Sequence, residues 1–114
     1  MSMDKRVEIL EPAKAWWGKS EQLTGGWVQS DWFGLFRTDP SGWLYHEEMN
    51  WAYHAGSADA SVWLWKKGRG WLWTKEKVWP YLWSDRKSNW LYFVRGNRGR
   101  PLYYDYSSNS YGEE

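Results

Sequence analysis

His46, followed by Glu47 and Glu48 and then by His54 eight positions on, is the closest this chain comes to a metal-ligand set. Zinc and its neighbours need three or four donors converging on one point, and two imidazoles at that spacing in a hairpin need not converge. No third ligand is evident, so no metal is expected. Nucleophilic chemistry has as little to work with: cysteine is absent, and the serines fall in turn-like sequence without the strand-to-helix setting of a nucleophile elbow. Glu47, Glu48, Asp59 and Asp85 are turn acids rather than a pair facing across a cleft. Gly96-Asn97-Arg98-Gly99 lies between strand-like segments and lacks the helix that a phosphate-cradling loop requires. The residue types read as those of a non-enzyme without a cofactor.

What the chain has in quantity is ring surface. Thirteen of its 114 residues are Trp and 21% are aromatic, far above ordinary usage. The rings recur in one short pattern: Trp43-Leu44-Tyr45, Trp51-Ala52-Tyr53, Trp63-Leu64-Trp65, Trp71-Leu72-Trp73 and Trp90-Leu91-Tyr92. Each copy is aromatic, small aliphatic, aromatic. Such alternation, broken by Gly, Asn, Asp, Ser and Lys, is the mark of strand, turn, strand. A helix is excluded, because triplets separated by Gly and Asn cannot line one face at a spacing of 3.6.

Trp43 to Trp51 and Trp63 to Trp71 are both eight positions, and Trp43 to Trp63 is twenty, so the hairpin itself repeats. Before the repeats, 26–29 and 31–37 read as strands, with Gly34 as a bulge, and Thr38-Asp39-Pro40-Ser41-Gly42 reads as a turn. After them, Tyr81-Leu82-Trp83 and Pro101 to Tyr106 continue the theme, and Pro80 places the 79–83 strand at an edge or a bulge. The expected fold is all-β, an antiparallel meander of about eight or nine short strands rolled into a barrel-like or two-layer sheet. Residues 1–24 read as an N-terminal arm or capping segment, with an extended stretch at 6–10 and a helical turn at 13–17. Residues 25–106 read as the aromatic hairpin domain, and 107–114 as a frayed tail.

Alternation sorts the residues onto two faces that are both apolar. Trp43, Tyr45, Trp51, Tyr53, Trp63, Trp65, Trp71, Trp73, Tyr81, Trp83, Trp90 and Tyr92 share one. Leu44, Ala52, Val62, Leu64, Leu72, Leu82, Leu91 and Phe93 share the other, with His46, His54, Lys66 and Thr74 toward its ends. A half-exposed sheet ordinarily carries polar residues outside. Here the aliphatic face can go inside with the rings outward, the rings can go inside, or the sheet can stay open and cover one face with a second copy. If the rings point outward they form a recognition surface, whose candidate binding residues are Trp43, Tyr45, Trp51, Tyr53, Trp63, Trp65, Trp71, Trp73, Trp83, Trp90 and Tyr92.

The motifs Gly42-Trp43-Leu44-Tyr45-His46, Val62-Trp63-Leu64-Trp65, Gly70-Trp71-Leu72-Trp73-Thr74, Pro80-Tyr81-Leu82-Trp83, Trp90-Leu91-Tyr92-Phe93 and Pro101-Leu102-Tyr103-Tyr104-Asp105-Tyr106 resemble an aromatic repeat module of large exported bacterial proteins, carried at their C-termini. The resemblance implies an accessory or surface role and brings no catalytic residues. More distantly, Gly42-Trp43 and Gly70-Trp71 look like the choline- and cell-wall-binding repeats, where rings of neighbouring hairpins cage quaternary ammonium groups.

Charge and targeting signals leave the setting open. The formal net charge is +1, with −3 over 1–57 and +4 over 58–114, so no global field draws the chain to nucleic acid or an anionic membrane. The mean hydropathy of −0.86 understates the buried area available from Trp and Tyr. Met1 to Leu10 is charged and no run has the length of a transmembrane helix. The chain is expected at the cell surface or outside if it is a module of a longer exported protein, and in the cytoplasm if it is native at full length. The favoured partner is a glycan or cell-envelope polymer on the aromatic face. A homodimer through an apolar face or an edge strand is the alternative from another class, and single-stranded nucleic acid, drawn by Arg95, Arg98 and Arg100, is the weaker third.

Overall fold

The computed structural model describes residues 15–56, 60–97 and 100–113. The extended arm expected at 6–10 lies outside the described residues. Eleven strands form one antiparallel sheet in strict sequence order. They are β1 (Ser20–Gln22), β2 (Trp27–Ser30), β3 (Gly34–Thr38), β4 (Trp43–His46), β5 (Asn50–Gly56) and β6 (Ser61–Lys66), then β7 (Gly70–Lys75), β8 (Tyr81–Ser84), β9 (Asn89–Val94), β10 (Leu102–Asp105) and β11 (Ser110–Glu113).

The meander is as expected, but four particulars differ. Pro80 does not set its strand at an edge, because it lies in the turn before β8, which pairs with β7 on one side and β9 on the other. The sheet has eleven strands rather than eight or nine and is not closed into a barrel, with β1 and β11 as its edges. The segment 31–37 is not one strand: Asp31, Trp32 and Phe33 form the turn between β2 and β3. The ends also belong to the sheet. β1 pairs with β2, and β11 pairs with β10 where a frayed tail is expected.

The aliphatic face is the core. Leu44, Ala52, Val62, Leu64, Leu72, Leu82 and Phe93 are fully buried. An open sheet can bury one face only by coiling over it, and neighbouring strands rotate by roughly 20–25° each. Leu and Ala are smaller than the Trp and Tyr opposite them, so the coil closes on the aliphatic side and opens on the ring side. The molecule is a rod of 60 × 30 × 24 Å. A chain of rings runs through the inside of the coil. Trp16 packs on Phe33 at 5.0 Å, Phe33 on Trp79 at 5.0 Å, Trp79 on Phe93 at 5.6 Å and Phe93 on Tyr103 at 5.3 Å. The turn before β3 thereby meets the turn before β8 and the inner faces of β9 and β10.

Polar residues recur at one place on this apolar face, the last residue of β2, β4, β6, β8 and β10: Ser30, His46, Lys66, Ser84 and Asp105, all buried. Four of them accept hydrogen bonds from the turn that follows. Ser30 Oγ takes Phe33 N–H at 3.0 Å, His46 Nδ1 takes Glu48 and Met49 N–H at 3.0 and 3.1 Å, Ser84 Oγ takes Lys87 N–H at 3.1 Å, and Asp105 Oδ1 takes Ser107 N–H at 2.8 Å. Four positions after each of the five sits a residue with positive φ: Gly34, Asn50, Gly70, Ser88 and Asn109. A left-handed residue lets a short loop rejoin its strand, and Gly and Asn adopt it at least cost. Lys66 cannot accept. Its ammonium instead donates to the carbonyl of Met49 and, at 2.8 Å, to that of Trp51, tying the third capped turn to the second.

The imidazole of His46 is fully committed. Besides accepting at Nδ1, it donates from Nε2 to the Phe33 carbonyl at 2.6 Å, so the ring is neutral with its proton on Nε2. Burial lowers its pKa to about 4, against the opposing pull of the Phe33 carbonyl and Glu48. His54 is also lowered by burial.

Two outcomes follow for stability. Leu64→Ala, at a fully buried position, is expected to cost about 2–5 kcal/mol in urea unfolding, whereas Trp51→Ala on the opposite face costs about 1 kcal/mol or less. Equal losses would mean that the rings are core. For His46, the unfolded chain takes up a proton near pH 6.5 that the native ring refuses until about pH 4, so its stabilisation is full above pH 6.5 and is lost as the pH falls toward 4. The loss is on the order of 2–3 kcal/mol, measurable by unfolding at pH 7.5 and pH 4.5, and His46→Gln should flatten that slope.

Candidate functional surface

All eleven candidate binding residues lie on the outward face, and the register sets them in rows across the sheet. Trp43, Tyr53, Trp65 and Trp71 are successive cross-strand partners from β4 to β7. Trp63, Trp73, Trp83 and Trp90 make an all-Trp row from β6 to β9. Tyr45 and Trp51 continue a row begun by Trp27 and Arg37. Tyr92 belongs to an all-Tyr row with Tyr81, Tyr104 and Tyr111. The expected site therefore comes together as one continuous surface.

The rings hold one another in place. Tyr45 meets Trp51 at 5.2 Å, Trp43 meets Tyr53 at 5.6 Å, Trp83 meets Trp90 at 5.4 Å and Tyr81 meets Tyr92 at 5.0 Å, each edge to face. Such pairs contribute about 0.5–1.5 kcal/mol beyond the area they bury. Arg37 lies over Trp27 at 5.8 Å and Lys75 over Trp73 at 5.9 Å, their stems covering ring surface. Even so, Trp51, Tyr53 and Trp71 remain 51%, 38% and 37% exposed, while Trp43, Tyr45, Trp63, Trp65, Trp73, Trp83, Trp90 and Tyr92 are half-buried.

Besides a groove at Trp51 shared with Arg37 and Asp39, two grooves lined by more than one ring indent this surface. One, of about 370 Å³, is lined by Ala55, Trp63, Trp71 and Asp85. It exists because Ala55, paired with Trp63, is the small residue at the head of the all-Trp row. The other, of about 420 Å³, is lined by Lys77, Val78, Tyr81, Asn89, Trp90 and Tyr106. There, desolvation and the neighbouring Tyr81 push the Tyr106 phenol above its usual pKa. Ala55, Trp27, Tyr104, Tyr106 and Tyr111 are absent from the sequence-derived set. Period-two alternation from Pro101 onward would have found the tyrosines, but a groove made by an alanine has no local signal.

The other residues considered for chemistry are placed elsewhere. His46 lies inside, and His54 accepts the Trp16 indole N–H at 3.0 Å, so the two imidazoles serve packing. Among the described residues no group of three His, Cys, Asp or Glu is arranged to hold a metal ion. Arg95 pairs with Glu48 at 3.6 Å and Arg100 with Glu113 at 2.9 Å, so two of the basic residues beside the last strands are matched by acids. No helix among the described residues is long and apolar enough to cross a membrane. Comparison with protein-family models, with curated proteins and with solved structures returns no match.

Gly42 offers a test of the row geometry. Its φ is +100°, and a Cβ there would lie 2.6 Å from the Tyr53 ring. Gly42→Ala should displace Tyr53 from its row and destabilise by about 1–3 kcal/mol, seen as a loss of near-ultraviolet circular dichroism with the far-ultraviolet β signal kept.

Proposed function

We propose that the protein is a non-catalytic binding module that holds a glycan or cell-envelope polymer on its outward aromatic face. The observation that carries this reading is the division of the sheet. The inner face, with its aliphatic residues and the rings of Phe33, Phe36, Phe93 and Tyr103, supplies the core, while the outward rings keep part of their surface in water. The outward Trp and Tyr side chains are half-buried or exposed, Trp51 the most exposed of the Trp, and leaving their uncovered ring surface in water is unfavourable unless something covers it. Flat, rigid rings suit the C–H faces of pyranose sugars, which stack without needing charge. A rod 60 Å long, with outward rings on strands from β2 to β11, suits a polymer better than a small metabolite.

The edges weigh against assembly by strand addition. β1 is Ser20-Glu21-Gln22, wholly exposed and polar. β11 is Ser110-Tyr111-Gly112-Glu113, in which Gly and Glu stand where other strands carry the core aliphatic and the second ring. Arg69 lies over Tyr103 at 4.2 Å and donates to the Gly112 carbonyl at 3.1 Å, covering the inner side of that edge. Polar, covered edges resist pairing with other chains. Face-to-face dimerisation through the rings remains the competing use of the same surface. The ion pairs of Arg95 and Arg100 disfavour single-stranded nucleic acid.

Titration of soluble glycans and cell-wall fragments should quench or shift Trp emission, with Trp71→Ala weakening binding at least severalfold and leaving the unfolding midpoint nearly unchanged. Sedimentation should give a monomer. A dimer that survives dilution and hides the rings, with no response to any polysaccharide, would replace this reading with assembly.

A further inference from the structure

The groove beside Trp71 carries an acid whose surroundings leave it unmatched. Asp85 follows β8 and is set beside Trp71 by its own N–H, which donates to the Trp71 carbonyl at 3.1 Å. Its side chain is exposed. The two cations that follow it in sequence are engaged with other partners, although the Arg86 guanidinium lies beside Gly70, the residue before Trp71. Arg86 donates to the Gly68 carbonyl at 3.0 Å, and Lys87 pairs with Asp105 at 2.8 Å. Among the described residues no ion pair or side-chain hydrogen bond engages the Asp85 carboxylate. The groove walls add to the same field. Trp63 and Trp71 present indole rings, whose faces are electron-rich, and Ala55 adds no polar group. Two indole rings and one carboxylate without an ion-pair partner favour a cation over an anion.

Resting on the glycan reading above, we propose that this groove is a subsite for an amino sugar bearing a free ammonium group. Its pyranose C–H face stacks on Trp63 or Trp71 and its ammonium lies between the ring and Asp85. Neutral N-acetylated sugars keep the stacking but lose the charge. Uronic acids meet a carboxylate at the same point. The other grooves differ in kind, since one has Lys77 as its charged residue and one sets Arg37 beside Asp39 at Trp51, so the amine preference is assigned to the Ala55, Trp63, Trp71 and Asp85 groove.

The test compares three soluble oligosaccharides of equal length with the full chain: a glucosamine oligomer, its fully N-acetylated counterpart and a uronate oligomer, followed by calorimetry and Trp fluorescence. The glucosamine oligomer should bind about tenfold more tightly than the acetylated one, lose that advantage in high salt, and outcompete the uronate. Asp85→Asn, an isosteric change at an exposed site, should erase the preference while keeping stacking-driven binding. Ala55→Leu should fill the groove and weaken the glucosamine oligomer most. Equal binding of the amino and acetylated oligomers, unaffected by Asp85→Asn, would overturn the amino-sugar assignment and leave the glycan reading standing. No binding of any oligosaccharide would remove the glycan reading itself. Oligolysine binding as tightly as the glucosamine oligomer, and equally sensitive to Asp85→Asn, would overturn the sugar in favour of a basic peptide.

Discussion

Everything in this fold depends on a mismatch in size between the two faces of one sheet. Leucine and alanine alternate with tryptophan and tyrosine along the central strands, and the smaller set can be packed only if the sheet curls toward it. Curling brings Phe33, Trp79, Phe93 and Tyr103 into a continuous line of rings inside the coil. Among the described residues the core is therefore formed by one sheet coiling over its own inner face, without a layer of helices. The same curvature spreads the outer rings and opens the grooves between their rows. The buried core and the grooved outer surface thus have a common origin.

Ser30, His46, Ser84 and Asp105 sit on the apolar face at strand ends, where a polar group would be costly without partners, and each meets N–H groups of the turn it precedes. Lys66 breaks the series by chemistry rather than by place. As a donor it reaches back to carbonyls of the preceding turn and strand, so the middle hairpin is bound to its neighbour by a buried cation. Asp105 is held well below the usual carboxylate range by Lys87 and then by Ser107, which joins the β8–β9 turn to β10. Turn caps and cross-hairpin ties are in these two cases the same side chain.

The outward face is ordered by its own edge-to-face contacts, which makes it a surface fixed before any ligand arrives. Fixed rings lose little side-chain freedom on binding, and this is the physical advantage of aromatic over flexible polar surfaces. Charge meets the rings at particular points: Arg37 over Trp27, Lys75 over Trp73, Asp85 at one groove and Lys77 at another.

The local pattern determined the strands and their two faces. The Trp-Leu-Tyr triplets placed β4 to β7 and β9 and assigned each side chain to its face, because alternation in a strand is set by covalent geometry. It also marked the outward residues, from Trp43 to Tyr92, that the rows contain. Which face would be inside, whether the sheet would close, and which rings would stand in one row were decided only in the tertiary structure. These depend on twist summed over eleven strands and on register between hairpins, where the three-residue turns after Ser30, His46 and Lys66 and the longer ones after Ser84 and Asp105 shift the rows. The turn containing Trp32 and Phe33 was hidden inside an apolar run for the same reason, since only the hydrogen bonds to Ser30 distinguish it from a strand. The groove at Ala55 and Asp85 joins residues thirty positions apart whose types say nothing alone. Their meeting is a matter of register, and no single segment of the chain contains it.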